Sequence, residues 1–79
     1  MSREVIVYTT PFCVPCEGLK RYLSEQGVPF TVRDLMMDEA AAERLDEARI
    51  RSTPALEVDG ELYAGEQLTP DNLRTLLEL

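Results

Sequence analysis

The residues of this chain best suited to chemistry are Cys13 and Cys16, the two cysteines among its 79 residues. A Cys-x-x-Cys spacing on a helix places the second thiol one turn beyond the first, so the pair can be oxidised to a disulfide and reduced again. The thiolate is the nucleophile in that exchange, and a cysteine at a helix N-terminus can have its pKa lowered from about 8.5 into the range ~3.5–7.5. The motif therefore indicates thiol–disulfide exchange, with Cys13 as nucleophile and Cys16 as resolving thiol.

The segments on either side of the cysteines predict a strand followed by a helix. Residues 5–8 are β-branched or aromatic, as in a buried strand, whereas Leu19, Tyr22 and Leu23 recur at the spacing of a core-facing helix. Cys13 is then at the helix N-terminus, where unpaired amides and the helix dipole stabilise a thiolate relative to the thiol. We expect the second cysteine, one turn further in, to be shielded and placed to attack a mixed disulfide formed on the first.

Cysteine pairs also occur in metal sites and in structural disulfides. A self-contained zinc site usually takes four cysteine or histidine ligands, and this chain has two cysteines and no histidine. A zinc ion or iron–sulfur cluster shared between two chains through Cys13 stays open as an alternative. A structural disulfide closing so short a loop would stabilise the fold by only about 2 kcal/mol in the chain-entropy model, which argues against that role.

Length and charge restrict the class of protein further. The 79 residues predict a single domain over residues 1–79, with a small core and little room for a second function. The 8 basic and 15 acidic residues give a net charge of −7, which argues against nucleic acid or an anionic membrane as partner. We expect no signal peptide and no membrane span, and therefore a cytoplasmic location.

The helices and their caps can be predicted from local patterns. A first helix should cover about residues 14–26, and Asp38 can cap a second over about residues 39–48. Thr69 is suited to the N-cap of a last helix, with Pro70 at its first position. Together with the strands, these helices predict the element order βαβαββα.

The strands after the first are predicted at residues 30–35, 55–58 and 61–64. A strand, helix and strand joined by short connections form a right-handed crossover, so the first two strands should be parallel. Asp59-Gly60 predicts a hairpin turn between the last two. The predicted fold class is α/β, a four-stranded mixed sheet flanked by helices on both sides.

With these residues, the chain resembles the glutaredoxin branch of the thioredoxin superfamily over nearly its full length. The resemblance rests on the cysteine motif, the strand end before it, and positions further along, namely Lys20, Gly27, Asp34, Thr53, Pro54, Gly60 and Gly65. It implies a thioredoxin-like fold of glutaredoxin type, βαβαββα. It also implies that Pro54 is cis and faces Cys13, and that Thr53 offers backbone hydrogen bonds to an extended substrate. Phe12 and Gly65 are the further residues expected to bind substrate.

The chain departs from the glutathione-dependent members of that family. Those members usually carry lysine where this chain has Thr10, so a cation for one glutathione carboxylate is missing. They also carry Gly-Gly, a small residue and Asp where this chain has residues 64–67, and Glu66 there would repel the other carboxylate. Pro15 occupies the slot that proline has in thioredoxins. The combination resembles the small redoxins that thioredoxin reductase reduces and that donate electrons to ribonucleotide reductase.

The resemblance implies a dithiol oxidoreductase that reduces protein disulfides, and we expect the protein to be a monomer. It implies no bound cofactor, with NADPH used only indirectly through a reductase. Thioredoxin reductase, or alternatively glutathione, is the expected electron donor, and a protein disulfide such as that of ribonucleotide reductase is the expected acceptor. Thioredoxins bury an acid where this chain has Val7, so Pro15 and Lys20 are the residues expected to tune the pKa of Cys13. The alternatives are a glutathione-dependent glutaredoxin and, from another class, a dimeric iron–sulfur or zinc module using Cys13.

Overall fold

A computed structural model describes residues 4–78 of the chain, and the predicted order of strands and helices is confirmed. The strands are β1 (Val5–Thr9), β2 (Thr31–Asp34), β3 (Ala55–Val58) and β4 (Glu61–Ala64). The helices are α1 (Val14–Glu25), α2 (Glu39–Glu47) and α3 (Pro70–Leu77), with a 3-10 helix (Gly65–Leu68) before α3. The sheet order is β2-β1-β3-β4, with β1 parallel to β2 and antiparallel to β3, and β3 antiparallel to β4. The α/β class and the mixed sheet are therefore as predicted.

Two hydrophobic clusters cover the two faces of the sheet, because alternate side chains of each strand point to opposite faces. The larger cluster packs α1 and α3 against β1 and β3, and its buried members are Val5, Val7, Leu19, Leu23, Leu56, Val58, Leu73 and Leu77. The smaller cluster lies beneath α2 and is formed by Tyr8, Ala41, Leu45 and Ala55. The helix that carries both cysteines is therefore anchored to the central strands by the larger core.

Side-chain caps fix where α2 and α3 begin. The carboxylate of Asp38 accepts the Ala41 amide at 3.0 Å and is itself held by Arg33, whose guanidinium donates to both carboxylate oxygens at 2.8 and 3.1 Å. The Thr69 hydroxyl accepts the Asn72 amide at 3.3 Å at the start of α3. Each cap satisfies an amide that has no partner within its helix.

The hairpin turn between β3 and β4 forms where the sequence predicts it, whereas two other features of the structure differ from the prediction. Asp59 and Gly60 have φ of 50° and 92°, the left-handed pair that a two-residue hairpin requires. The 3-10 helix between β4 and α3 was not predicted. Met36 and Met37, which the sequence predicts to fill space beneath α2, are instead 73% and 85% exposed, because the buried cluster already fills that space and the chain turns at Asp34. Among residues 4–78, no helix is long and apolar enough to cross a membrane.

Candidate active site

A disulfide joins Cys13 and Cys16 where the chain passes from β1 into α1, with a Cα–Cα distance of 5.2 Å. Cys13 is the N-cap residue of α1 and has extended backbone angles, φ −101° and ψ 104°. Its side chain is partly exposed, whereas Cys16 is only 1% exposed and lies against the core. An incoming substrate can therefore reach the sulfur of Cys13 but not that of Cys16.

Two donors approach the sulfur of Cys13. The Cys16 amide donates to it at 3.1 Å, as an amide at the third position of a helix does to an N-cap side chain. The amide one position earlier is missing because that residue is Pro15. The hydroxyl of Thr53 supplies the second donor, with its oxygen 3.6 Å from the sulfur. The Thr53 hydroxyl is in turn 3.0 Å from the hydroxyl of Thr10.

Thr53 and Pro54 form one wall of a groove on the β3 side of Cys13. The peptide bond between them is cis, as the resemblance implies. The groove has a volume of about 540 Å³ and is mostly apolar, with walls formed by Pro15, Gly18, Leu19, Tyr22, Ser52, Thr53, Pro54, Gly65, Leu68, Pro70 and Leu73. The structure thus brings four expected site residues, Pro15, Thr53, Pro54 and Gly65, to one surface beside Cys13.

A second groove of about 570 Å³ lies on the β2 side of Cys13. Phe12 lies at this groove and is fully exposed, with a left-handed φ of 59° that aromatic residues seldom adopt. Lys20 borders the same groove and forms an ion pair with Glu17 one turn before it. The two predicted residues therefore lie near Cys13, but the Lys20 charge is largely compensated by its partner.

The 3-10 helix (Gly65–Leu68) lies where the resemblance leads us to expect the glutathione-binding turn. Gly65 enters it with a φ of 59°, a conformation that glycine adopts without strain. The side-chain oxygen of Gln67 accepts the Ala64 amide at 3.0 Å, so it is occupied by the backbone of its own turn. Glu66 is exposed at this turn. No group of three or more histidine, cysteine, aspartate or glutamate side chains that could hold a metal ion occurs within residues 4–78.

Among the residues that the structure describes, the buried acid is Glu57, on the α2 face of the sheet rather than beneath the cysteines. It is 7% exposed, and position 7, where thioredoxins have their acid, holds a fully buried valine. Burial raises the pKa of Glu57, but hydrogen bonds from Tyr8 and Arg44, with the guanidinium charges nearby, outweigh it and hold that pKa below its ordinary value. This carboxylate is thus held ionised by its own partners and is not placed to take a proton from Cys16.

Sequence reasoning found the cysteines, the cis proline and the proline within the motif. It missed two contacts, that between the hydroxyls of Thr10 and Thr53 and that between the Thr53 hydroxyl and the sulfur of Cys13. These residues are 43 positions apart in the chain, and neither has a local pattern that marks it as a partner of the other.

Comparison with known proteins agrees with this geometry. The glutaredoxin family model matches residues 5–63, and the chain belongs to the glutaredoxin family. The thioredoxin-like protein BC3987 is 35% identical in sequence, over 92% of this chain and 99% of that one, with a TM-score of 0.80. No curated protein sequence matches the chain.

Two further solved structures are similar. The NrdH-redoxin of Escherichia coli, described as a glutaredoxin-like protein with a thioredoxin-like activity profile, is 25% identical over 96% of this chain and 93% of that one, with a TM-score of 0.79. Glutaredoxin 1 of Francisella tularensis, 22% identical over 99% and 100% of the two chains with a TM-score of 0.72, shares the fold. The fold is thioredoxin-like, and with the Cys13–Cys16 pair it supports thiol–disulfide oxidoreductase chemistry.

Proposed function

We propose that this protein is a dithiol electron carrier that reduces disulfides in other proteins, with Cys13 as nucleophile and Cys16 as resolving thiol. The observation that carries this proposal is the asymmetry of the pair. Cys13 is partly exposed at the helix N-cap with two donors on its sulfur, whereas Cys16 is buried behind it. We further propose that it acts as a cytoplasmic monomer with no bound cofactor.

The reaction transfers two electrons in two sulfur exchanges. The Cys13 thiolate attacks one sulfur of the substrate disulfide, the substrate S–S bond breaks as the new bond forms, and the displaced substrate thiolate takes a proton. Cys16 then loses its proton and attacks the sulfur of Cys13, which closes the intramolecular disulfide and releases the second substrate thiolate. The sulfur of Cys13 belongs to a residue that borders the groove on the β2 side, and an extended substrate can hydrogen-bond to the backbone of Thr53 as it does in this family.

We propose thioredoxin reductase, supplied by NADPH, as the donor that restores the dithiol. Binding glutathione needs fixed cations or amide donors for its two carboxylates. Instead of a lysine, the chain has Thr10, whose hydroxyl is engaged by Thr53, and it has an exposed Glu66 in the second anion-binding turn. The net charge of −7 adds repulsion, which salt screens to within about 10 Å at 0.1 M. The thioredoxin-like activity profile of the similar NrdH-redoxin supports the same donor, and ribonucleotide reductase is the acceptor that we propose.

The test is NADPH consumption with a protein disulfide as substrate, comparing thioredoxin reductase with glutathione plus glutathione reductase. We expect rapid turnover with the first and slow turnover with the second. The triple variant Thr10→Lys, Glu66→Ser and Gln67→Asp should raise the glutathione-dependent rate and change the reductase-coupled rate less. Efficient turnover by glutathione, with none by thioredoxin reductase, would instead identify a glutathione-dependent glutaredoxin. Stoichiometric iron or zinc in anaerobically purified protein would favour the shared-metal alternative.

A further inference from the structure

The side chains of Thr10 and Thr53 form a chain of hydroxyl groups that ends on the sulfur of Cys13. The two threonine oxygens are 3.0 Å apart, and the Thr53 oxygen is 3.6 Å from the sulfur. Thr10 directly follows β1, and Thr53 directly precedes the cis proline. The sheet pairing of β1 with β3, which sets Tyr8 opposite Ala55, brings these two loop positions together.

The direction of the protons in this chain determines what Cys13 receives. A threonine hydroxyl has one proton to donate and lone pairs to accept with. If Thr53 donates to Thr10, the sulfur receives nothing from it. If Thr10 donates to Thr53, the Thr53 proton is free to point at the sulfur, and each hydrogen bond polarises the next.

A thiolate at Cys13 favours the second arrangement, because a negative sulfur is a stronger acceptor than either oxygen. This contribution should be appreciable here, since Pro15 removes one of the two local amides that could otherwise donate to the N-cap sulfur. The Cys16 amide is the one that remains.

We propose that Thr10 is a positioning residue, which donates to Thr53, directs the Thr53 hydroxyl to Cys13, and thereby stabilises the Cys13 thiolate in the reduced protein. This inference rests on the proposed function, in which that thiolate is the attacking group. It assigns to Thr10 a role that the position does not have in members with a lysine there.

The charged side chains near Cys13 are not hydrogen-bonded to Thr10 or Thr53 in the contacts described above. The groove on the β2 side is bordered by Glu17 and Lys20, which pair with each other, and by Asp34. The groove on the β3 side has no Asp, Glu, Lys or Arg in its wall, and Tyr22 is its only titratable residue. Removing a threonine hydroxyl therefore changes the hydrogen bonding of the sulfur without changing a charge.

The test follows the alkylation rate of Cys13 in the reduced protein as a function of pH, with the modified cysteine identified by mass spectrometry. Thr53→Val should slow alkylation at mildly acid pH by about tenfold, through loss of a hydrogen bond to a charged group. Thr10→Val should slow it by about two- to fivefold, because it weakens that bond indirectly. In the Thr53→Val background, Thr10→Val should have no further effect.

Two variants provide controls. Thr10→Ser keeps the hydroxyl and should restore the wild-type pH profile, which a role of Thr10 in packing alone would not. Thr31→Val makes the same chemical change at an exposed position in β2 and should leave the profile unchanged.

The inference would be overturned if Thr10→Val left the pH dependence of Cys13 alkylation unchanged. It would also be overturned if Thr10→Val slowed alkylation equally in the wild-type and Thr53→Val backgrounds. Either result would leave the proposed function intact. If the wild-type protein were alkylated at Cys16 as fast as at Cys13, the proposed function and this inference would both fail.

Discussion

The hydroxyl of Tyr8 donates a 2.7 Å hydrogen bond to the carboxylate of Glu57 inside the protein, between the sheet and α2. Arg44 of α2 donates to the same carboxylate oxygen at 2.7 Å and to the Gly60 carbonyl at 3.1 Å. The guanidinium of Arg33 lies 5.8 Å from the centre of the Tyr8 ring, within cation–π range. A buried charge is thus satisfied by partners from β1 and α2, which fastens that helix to the sheet.

Replacing Tyr8 with phenylalanine should reduce the free energy of unfolding by about 1.5–3 kcal/mol, because a buried carboxylate loses a hydrogen bond. The matched control is Tyr22→Phe. The Tyr22 hydroxyl is buried without a hydrogen-bond partner within the described residues, so its removal should leave stability unchanged or raise it. Urea denaturation of both variants measures the difference, and an equal loss in the two would show that the Glu57 bond contributes little.

The free energy of unfolding should decrease at acid pH, as two carboxylates become protonated. The hydrogen bond from Arg33 is the main cause that lowers the pKa of Asp38, and the pKa of Glu57 is also lowered. Between their folded and unfolded pKa values, the unfolded chain binds more protons, so both carboxylates stabilise the fold above about pH 4.5 and lose this effect as the pH falls through their folded values. Urea midpoints measured against pH should decline there, and Glu57→Gln should flatten the decline.

The loss of stability at alkaline pH should depend on Tyr8. Burial, followed by the hydrogen bond to Glu57, raises the pKa of Tyr8 above its ordinary value of 10.0. The folded state then holds this proton more tightly than the unfolded chain, so the contribution is complete below about pH 10 and is lost as the pH rises through the folded pKa. Tyr8→Phe should flatten this limb of the stability curve, and an unchanged limb would contradict the assignment.

Cys13 should react much faster than Cys16 with an alkylating agent at mildly acid pH, because only Cys13 is partly exposed with two donors at its sulfur. Cys13→Ser should abolish disulfide reduction. Cys16→Ser should instead accumulate a mixed disulfide on Cys13, detectable as an added mass that dithiothreitol removes. Equal alkylation rates of the two cysteines would contradict the assigned roles.

Replacing Pro15 with alanine should lower the pKa of Cys13, since a further amide becomes available to the thiolate. The disulfide should become more oxidising, because the reduced form gains that bond. Val14→Ala is the control, because Val14 already has its amide and the number of donors is unchanged. Thiolate titration and equilibration with a glutathione buffer measure the two effects, and a higher pKa in Pro15→Ala would mean that the proline acts through rigidity.

Phe12 should contribute to substrate binding and not to stability. Its ring is fully exposed beside Cys13, and burying a phenylalanine side chain contributes about 1.5–3 kcal/mol. Phe12→Ala should therefore raise the KM for a protein disulfide by about tenfold or more and leave the urea midpoint nearly unchanged. Met37→Ala, at an exposed apolar residue outside both grooves, should change neither, and an equal effect of the two substitutions would exclude a specific role for Phe12.

The sequence by itself determined the features that depend on residues a few positions apart. The caps at Asp38 and Thr69 and the turn at Asp59-Gly60 satisfy backbone groups or backbone angles in their immediate neighbourhood, so their residue types alone identified them. The cysteine pair is also a local feature that the sequence reveals, because one helical turn separates Cys13 from Cys16.

Only the tertiary structure decided which distant side chains meet. Thr53 reaches Cys13 across 40 positions of the chain, and Tyr8 reaches Glu57 across 49. Both contacts depend on β3 lying antiparallel beside β1 in one register, since a shift of one residue would turn every side chain of the strand to the other face. Hydrophobic periodicity predicts that a strand exists but not the neighbour or register it takes, so the donors at the reactive sulfur and the partners of the buried acid follow from the packing of the whole sheet.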